Sequence, residues 1–567
     1  INKLKSLFKG NNINGYLITK NDEFFGEYVP DNKDKLKYFT NFSGSSGFAL
    51  ILKKKNYLFV DGRYTLQANI QSGKNFKIKN FPKEMPYHIL GKRNLKIGFN
   101  PKLITKKTFN LIFKNKNCKY IPIKEDLIDK IWQRERYKNY ANFYHLSKKS
   151  SVQPFNQKLL IILKNLRVKH ADYQFITASE NIAWLLNIRG KDSKFSPIPN
   201  SYLLLDKKKN LYFFCDLNKI SISFKKKLKN VKFLDINKTD FILSNIVNKK
   251  FIIDKNSCSI FFEQIISKNN KILKSNDPIY DLKSVKSKKE LNNIIKAHVY
   301  DGVALTKYLF WIKNNYFKKK ITEISGERKL LKFRKKNKSF KFSSFPTISG
   351  AGPNGAIIHY RANKETNRRL KKGEIYLVDS GGQYEFGTTD VTRTISLDCN
   401  NKKIKNIFTR VLKGHISVAT SDLKKRFNGS LIDKLARKPL KEVGLNYSHG
   451  TGHGVGFFLN VHEGPQGISR QNKVKLKKGM ILSNEPGYYL KDHYGIRIEN
   501  LIYVNKYKKK LKFENLTYAP IDTDMINYKI LNQKEKSYLF DYHLNIYNKF
   551  SNYLNKFEKK WLIKLIK

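Results

Sequence analysis

Residues 376–394 have the sequence YLVDSGGQYEFGTTDVTRT, in which two apolar, strand-like runs flank a connection that contains three glycines. Asp379 ends the first run, and Asp390 lies at the start of the second, β-branched run. A hairpin would bring these two carboxylates side by side. Because neighbouring aspartates repel each other, a buried pair needs a cation or a proton to persist. The segment alone is equally typical of a surface hairpin, so its interpretation depends on the rest of the chain.

Three further residues of metal-ligand type follow in the last third of the chain, and they are His453, Glu485 and Glu499. Singly, such acids are more often salt-bridged edge residues than ligands. Together, the four carboxylates and one imidazole would stay net negative around a single divalent cation. Two cations would offset the charge and leave a water or hydroxide between them. The pattern therefore predicts a two-metal hydrolase.

The ligand types also predict the metal. A site rich in carboxylate oxygens with one imidazole is hard and suits Mn²⁺, whereas structural zinc prefers cysteine and several histidines. Two Mn²⁺ ions are therefore the expected cofactor. Cobalt, iron and zinc are alternatives that the same ligands could bind.

Three more histidines, His359, His449 and His462, lie in glycine-rich segments. Each alone is more often a core or hydrogen-bonding residue. As a group they are candidates for donating to a developing oxyanion or for shuttling protons, because imidazole titrates near neutral pH.

The composition describes a folded, strongly basic chain. A length of 567 residues predicts about two to four domains, and 40% hydrophobic residues argue against disorder. The formal net charge of +67 raises nucleic acid or anionic membrane as partners. The lysines are nevertheless spread along the chain in short runs, such as 53–55, 207–209 and 508–510. This spread favours a solvated surface, so nucleic-acid binding is not expected.

The few cysteines are widely spaced, which predicts neither a zinc ribbon nor a disulfide framework. The sequence also has no uninterrupted apolar stretch of the ~18 residues that a membrane span needs. We expect a cytoplasmic protein that does not bind membranes.

An internal repeat is present in the first half of the chain. Residues 38–44, YFTNFSG, correspond to residues 184–190, WLLNIRG, and residues 49–61 correspond to residues 202–216. The longer pair predicts two apolar strands joined by a Lys-Asn turn. Chance similarity in a lysine-rich sequence is the alternative. We expect two related α/β domains that meet between residues 132 and 150.

A third domain of different character follows. Residues 287–290, SKKE, form a predicted capping box that starts a long amphipathic helix. Short strands and glycine turns dominate from Phe345 onward, and this mixture predicts an α+β catalytic domain. Other helices are predicted at 404–418, 431–443 and 531–567. The predicted domains span residues 1–135, 136–283 and 284–567.

The combined motifs resemble the creatinase and methionine aminopeptidase fold group, and most closely its aminopeptidase P branch, the Xaa-Pro aminopeptidases. The resemblance covers essentially the whole chain and includes the larger, three-domain form. From residue 345 onward it rests on five segments, which are 345–360, 379–394, 449–456, 484–489 and 495–500.

This resemblance implies a pita-bread catalytic domain preceded by two creatinase-like domains. It implies that Asp379 holds one metal and that His453 and Glu485 hold the other. Asp390 and Glu499 would bridge both ions. The implied reaction is hydrolysis of the bond between an N-terminal residue and a following proline, by a hydroxide that bridges the metals. The substrates would be peptides with proline in the second position, and the enzyme would be a homodimer.

The resemblance also extends to residues around the ligands. His359, His449 and His462 match positions implicated in substrate binding and proton handling. Arg497 would support the site from behind the ligands. Glu485 is the candidate proton carrier for the leaving nitrogen.

Two alternatives remain open. A prolidase shares the ligands and the proline preference but accepts only dipeptides, and the additional N-terminal domain disfavours it. Pita-bread domains without metal ligands serve as histone- or RNA-binding modules. The positive charge supports that class, whereas the complete ligand set opposes it.

Overall fold

The computed structural model describes residues 1–134, 141–147, 150, 153–508 and 510–566. The chain forms two compact units, Ile1–Tyr280 and Asp281–Lys567. The boundary predicted after residue 135 lies outside the described residues, and the predicted domain limits stay predictions. Within the described ranges, no helix combines the length and apolar character needed to cross a membrane.

The N-terminal unit begins with a six-stranded sheet. Its strands are β1 (Gly15–Thr19), β2 (Phe48–Leu52), β3 (Asn56–Val60), β4 (Lys77–Asn80), β5 (Lys96–Phe99) and β6 (Lys119–Pro122). The helices in this part are α1 (Asn2–Gly10), α2 (Lys35–Thr40), α3 (Thr65–Ser72), α4 (Pro86–Leu90) and α5 (Lys106–Ile112). The spatial order is β4-β3-β2-β1-β5-β6, and β2 pairs antiparallel with β1 and β3.

A second six-stranded sheet follows in the same unit. The strands are β7 (Tyr144–His145), β8 (Tyr173–Ile176), β9 (Ile188–Arg189), β10 (Tyr202–Asp206), β11 (Leu211–Cys215), β12 (Val231–Asp235), β13 (Lys250–Asp254) and β14 (Lys271–Ser275). The helices are α6 (Phe155–Val168), α7 (Ser179–Leu186), α8 (Ile222–Lys226), α9 (Thr239–Ser244) and α10 (Ile260–Asn269). The sheet has the order β12-β11-β10-β8-β13-β14, while β7 pairs with β9.

Both sheets follow one topology, since the second repeats the order of the first strand by strand. The repeat extends to single residues. Asn41 follows α2 with a φ of 62°, and Asn187 follows α7 with a φ of 55°. A left-handed residue often ends a helix, and asparagine is one of the few residues besides glycine that tolerate it. The predicted repeat of two related α/β domains is confirmed.

Strand β2 shows why these apolar runs become sheet interior. All of its residues are buried. Ile51 belongs to the same core as Leu4 of α1, whereas Leu50 belongs to the core that contains Phe109 of α5. Because successive residues of a strand point to opposite faces, a sheet covered on both faces needs a continuous apolar run.

The C-terminal unit is a mixture of long helices and antiparallel strands. After α11 (Pro278–Ser284), its helices are α12 (Lys288–Asn315), α13 (Glu323–Lys335), α14 (Lys402–Ala419), α15 (Gly429–Lys441), α16 (Gln533–Phe550) and α17 (Lys556–Ile566). Its strands are β15 (Phe340–Ser343), β16 (Ile348–Ala351), β17 (Ile375–Ser380), β18 (Gly382–Tyr384), β19 (Gly387–Thr388), β20 (Val391–Ser396), β21 (Gly452–Gly454), β22 (Glu463–Ile468), β23 (Ile481–Asn484), β24 (Gly487–Leu490), β25 (Tyr494–Arg497), β26 (Asn500–Tyr507) and β27 (Lys510–Asn515).

These strands form several small sheets. The sheet orders are β15-β18-β19, β16-β17-β20, β22-β21-β23-β26-β27 and β24-β25. The predicted α+β character of this part of the chain is therefore confirmed.

The helix predictions succeed where the cap or the periodicity is strong. Ser287 and Glu290 form the predicted capping box, in which the Glu290 carboxylate accepts from the Ser287 amide at 2.8 Å. Helix α14 covers the predicted segment 404–418, and α15 begins two residues before the predicted segment 431–443 and ends two residues before its end. The C-terminal segment was predicted as one helix but contains two, α16 and α17. Asn555 and Glu558 explain the break, because Asn555 accepts from the Glu558 amide and Glu558 accepts from the Asn555 amide, which starts a new helix.

A buried ion pair joins the first two helices of this unit to the connection between β17 and β20. Arg334 of α13 donates to both carboxylate oxygens of Asp301 of α12, at 2.7 and 3.0 Å. The hydroxyl of Tyr384 in β18 donates to the same carboxylate at 2.8 Å. Asp301 is 3% exposed and Arg334 1% exposed, so neither charge is solvated.

We expect Arg334→Met to destabilise the C-terminal unit by about 3–5 kcal/mol, because it leaves the Asp301 carboxylate buried and without its cation. Urea denaturation followed by circular dichroism would measure the loss. Arg328→Met is the matched control, since Arg328 is exposed on the same helix. An equal effect of the two substitutions would contradict this prediction.

Candidate metal centre

The two strand-like runs of the opening motif pair with each other, as predicted, although Asp390 lies just outside the second strand. Strand β17 pairs antiparallel with β20, and Asp379 is opposite Thr392. Asp390 directly precedes β20. The connection is more elaborate than a hairpin, because β18 and β19 leave to join β15 in another sheet. A Cβ at Gly381 would lie 2.0 Å from the Thr389 carbonyl oxygen, so only glycine permits this close crossing beside the aspartates.

The other ligand candidates lie at the ends of a second set of strands. His453 is in β21, which pairs with β23. Glu485 directly follows β23, and Glu499 directly precedes β26. Because Asn484 pairs with Asn500 in these antiparallel strands, the two glutamates lie at the same end of the strand pair.

These elements bring the ligand-type side chains together. One ligand atom from each of Asp390, His453 and Glu499 lies within 4.8 Å of the other two. The His453 Nε2 atom is 3.4 Å from Asp390 Oδ2 and 3.5 Å from Glu485 Oε1. Asp379 is held by Arg497, whose Nη2 donates to Asp379 Oδ2 at 2.7 Å.

The cluster has the chemistry of a cation site. Asp379, Asp390 and Glu499 are 8%, 4% and 2% exposed. The Oδ1 atoms of Asp379 and Asp390 are buried and accept no hydrogen bond from any described residue. A buried carboxylate oxygen without a partner is unfavourable. Divalent cations fit these residues, because clustered carboxylates with one imidazole are a hard, anionic ligand set.

Burial and mutual repulsion shift the titration of the carboxylates. Burial, opposed by Arg497 and assisted by Asp390, raises the pKa of Asp379 to about 7. Burial and the charges of Asp390 and Glu485 raise the pKa of Glu499 well above its ordinary value. When no cation balances their charge, these two carboxyl groups therefore keep their protons to a higher pH than ordinary carboxyl groups do.

The pKa of the imidazole in the cluster is also raised, and for this residue the shift favours the charged form. Although burial lowers the pKa of His453, its hydrogen bond with Asp390 and the charge of Glu485 raise it to about 9. Burial alone would raise the pKa of Glu485, but the charge of His453 lowers this pKa below its ordinary value. His453 and Glu485 thus stabilise each other as an ion pair without metal.

His449 is 8% exposed and bonds through both ring nitrogens. Its Nδ1 is 2.7 Å from the Gly450 carbonyl oxygen, and its Nε2 is 2.9 Å from the Tyr489 hydroxyl. A carbonyl only accepts, so Nδ1 carries the proton and Nε2 accepts from Tyr489. Burial, against the charge of Glu485, lowers the pKa of His449 to about 4, so the ring is neutral at pH 7.

The two remaining histidines occupy different surroundings. The ring of His462 lies 4.2 Å from that of His453, and its side chain is exposed. His359 is half-buried and follows the 3-10 turn Gly352–Ala356. This turn packs against β25, which carries Arg497, and a Cβ at Gly495 would lie 1.8 Å from the Gly355 carbonyl oxygen.

Arg497 connects several of these groups. Its Nη1 donates to the Tyr489 hydroxyl at 2.7 Å, and its Nε donates to Thr392 Oγ1 at 3.1 Å. The Thr392 hydroxyl in turn donates to Glu499 Oε2 at 2.7 Å. The motifs did not single out Tyr489 or Thr392 as functional. Thr392 follows Asp390 by two residues on the same strand face, which is the sequence signal that could have indicated it.

A buried Lys-Glu-Lys cluster beside His462 was also missed. Glu463 is 2.7 Å from Lys286 Nζ and 3.1 Å from Lys283 Nζ, and all three side chains are almost fully buried. Glu463 also pairs with Gly454 in the sheet, next to His453. The two lysines lie far upstream in sequence, so no local pattern connects them with this loop.

Known protein families match nearly the whole chain. Residues 292–506 match the metallopeptidase family M24, and residues 509–567 match the C-terminal region of that family. Residues 1–131 and 135–290 each match a creatinase/prolidase N-terminal domain.

Full-length relatives share substantial identity. A protein of Laccaria bicolor described as a probable Xaa-Pro aminopeptidase P is 36% identical over 577 residues, which cover 97% of this chain and 90% of the relative. Xaa-Pro aminopeptidase ApepP of Drosophila melanogaster is 34% identical over 594 residues, which cover 97% of this chain and 95% of that protein.

Solved structures give the same result. The X-prolyl aminopeptidase from Caenorhabditis elegans, described as a cytosolic enzyme with a di-nuclear active site, matches with a TM-score of 0.94 at 29% identity. The match covers 100% of this chain and 98% of that one. A prolidase from Pyrococcus horikoshii OT3 has a TM-score of 0.51 at 23% identity over 65% of this chain and 99% of its own, which shows a shared fold alone. The resemblance inferred from the motifs is confirmed, and the chain belongs to the Xaa-Pro aminopeptidase P family of M24 metallopeptidases.

Proposed function

We propose that this chain is a metal-dependent aminopeptidase that removes the N-terminal residue from peptides with proline in the second position. The convergence of Asp390, His453 and Glu499 within 4.8 Å carries this proposal. Relatives that match almost the whole chain support the proposal, because they are described as Xaa-Pro aminopeptidases.

The proposed cofactor is a pair of divalent cations, with Mn²⁺ as the ion. Asp379 is the proposed ligand of one cation, and His453 with Glu485 of the other. Asp390 and Glu499 are proposed to bind both. The abundance of carboxylate oxygens supports manganese, and the di-nuclear site described for the C. elegans enzyme supports the number of ions.

When bound, such a pair of cations supplies a water of lowered pKa and a Lewis acid for the scissile carbonyl. The leaving nitrogen of proline must gain a proton before the bond breaks. Glu485 is the proposed carrier, which takes a proton from water and delivers it to this nitrogen. Proline has no N–H group, so its recognition depends on the shape of the ring rather than on a hydrogen bond.

The histidines are proposed to bind and orient the peptide. His462 is exposed beside His453 and can contact a substrate without rearrangement. His449 is neutral at pH 7 and fixes the Tyr489 hydroxyl, which Arg497 also bonds. His359 is the proposed third substrate-binding histidine.

We also propose that the protein acts in the cytosol as a homodimer. The description of the C. elegans enzyme as cytosolic supports the location. Dimerisation is inferred from the family resemblance. Nucleic acid is not a proposed partner despite the net charge of +67, because the ligand set is complete.

Asp390→Ala or Glu499→Ala should each lower kcat/KM by about 100-fold or more, because losing a group behind the ligands already costs 10–100-fold. The assay is release of the N-terminal residue from a Xaa-Pro-Xaa peptide after Mn²⁺ loading. Lys54→Ala, in an exposed turn, should leave activity unchanged. Full turnover by either ligand variant would refute the metal assignment.

Peptide length separates this proposal from prolidase activity. We expect the purified protein, with its metal content measured, to release the first residue from Xaa-Pro-Xaa peptides. The reason is that the complete chain matches enzymes described as aminopeptidases. A Xaa-Pro dipeptide of the same first residue is the comparison substrate. Turnover confined to the dipeptide would assign the chain to the prolidases instead.

Metal uptake should release protons and tighten as the pH rises. Without metal, Asp379 titrates at about pH 7, Glu499 has a raised pKa, and His453 titrates at about pH 9. Cations bind only the deprotonated groups, so affinity for Mn²⁺ should increase about tenfold per pH unit for each ligand that still holds a proton. Calorimetry between pH 6 and 8, in buffers of different ionisation enthalpy, measures both effects. Affinity independent of pH, without proton release, would show that the ligands are already deprotonated.

A further inference from the structure

Arg393 of β20 is 1% exposed, yet no carboxylate of a described residue lies within ion-pair distance of it. Its guanidinium bonds neutral acceptors instead. These are the carbonyl oxygens of Thr392 (2.7 Å), Glu499 (2.7 Å), Ala519 (2.7 Å) and Pro520 (3.0 Å), the Asn500 side-chain oxygen (2.8 Å) and the Tyr542 hydroxyl (2.9 Å). A guanidinium has five N–H donors, so this shell satisfies the whole group.

The bonds converge on Glu499 from two directions. Arg393 Nη1 holds the Glu499 carbonyl, which fixes the main chain at this residue. It also holds the carbonyl of Thr392, whose hydroxyl donates to the Glu499 carboxylate. Both the backbone and the side chain of Glu499 therefore depend on the placement of Arg393.

The other side of the guanidinium faces the C-terminal region. Tyr542 lies in α16, within the segment 509–567 that matches the M24 C-terminal region. Its hydroxyl accepts from Arg393 Nη2 and from the Ala519 amide at 3.1 Å. The hydroxyl lies 3.0 Å from the Ala519 carbonyl oxygen, to which it can donate its own proton. Tyr542 thus connects α16, residues 519–520 and Arg393.

We infer that Arg393 and Tyr542 are positioning residues through which the C-terminal region holds Glu499 in place for cation binding. The inference rests on the proposed function, because it takes Glu499 as a metal ligand. Neither residue needs to touch substrate. Their effect arises because a ligand held by several fixed groups loses little freedom when the cation binds.

Tyr542→Phe tests this directly, since it removes one hydroxyl and keeps the ring. Tyr538→Phe is the matched control, because Tyr538 lies one turn earlier on α16 and its hydroxyl accepts from Asn515 instead. We expect Tyr542→Phe to bind Mn²⁺ about tenfold more weakly, as is typical when a group behind the ligands is lost. Tyr538→Phe should bind Mn²⁺ like the unmodified protein. Calorimetry measures Mn²⁺ binding under conditions in which circular dichroism shows that all variants are folded.

Enzyme kinetics distinguish positioning from a general loss of structure. At saturating Mn²⁺, Tyr542→Phe should keep the KM for a Xaa-Pro-Xaa peptide, while the Mn²⁺ concentration for half-maximal activity rises. Arg393→Lys should shift that concentration further, because a lysine cannot reproduce the planar set of donors. Equal Mn²⁺ affinity of the Tyr542 and Tyr538 variants would overturn the inference. If the protein binds Mn²⁺ but cleaves no Xaa-Pro peptide, the proposed function fails, and the affinity comparison still decides this inference.

Discussion

The C-terminal unit must hold several negatively charged carboxylates close together in its interior, and this constraint shapes the whole site. Asp379 lies in β17, while Asp390 and Glu499 directly precede β20 and β26, and the negative charges of these buried groups oppose the close approach of the strands. Arg497 balances part of the charge through Asp379, and His453 balances another part. The remainder falls to protons or to cations, as the raised pKa values of Asp379 and Glu499 indicate. The fold therefore prepares a strong anionic site at the cost of local stability.

The sequence predicted the elements that carry the site because their signals are local. An apolar strand ending in an acid is visible in a few residues, and the strand pairing of Asp379 with the segment after Asp390 followed from it. The relay from Arg497 through Tyr489 to His449 was not predictable. Tyr489 and Arg497 lie close together on the paired strands β24 and β25, but His449 is 40 residues before Tyr489 and meets it only through tertiary packing. The roles of the ligands themselves stay predictions.

Capping residues explain both a success and an error in the fold prediction. The box at Ser287 and Glu290 preceded a clear helical period, so the start of α12 was evident. The equivalent box at Asn555 and Glu558 interrupts a segment whose period continues on either side, and the continuous pattern concealed the break. Hydrophobic periodicity indicates which face of a helix is buried, whereas a capping box indicates where a helix begins.

The matching sheets of the N-terminal unit also record how the chain arose. Two sheets with the same strand order and the same left-handed asparagine after the equivalent helix imply an ancestral duplication and fusion. Core side chains differ between the two copies, as in FALIL of β2 and YLLLD of β10, because many apolar residues fill a core equally well. A position with a left-handed backbone accepts far fewer residue types. Asn41 and Asn187 are therefore durable markers of common descent within a single gene.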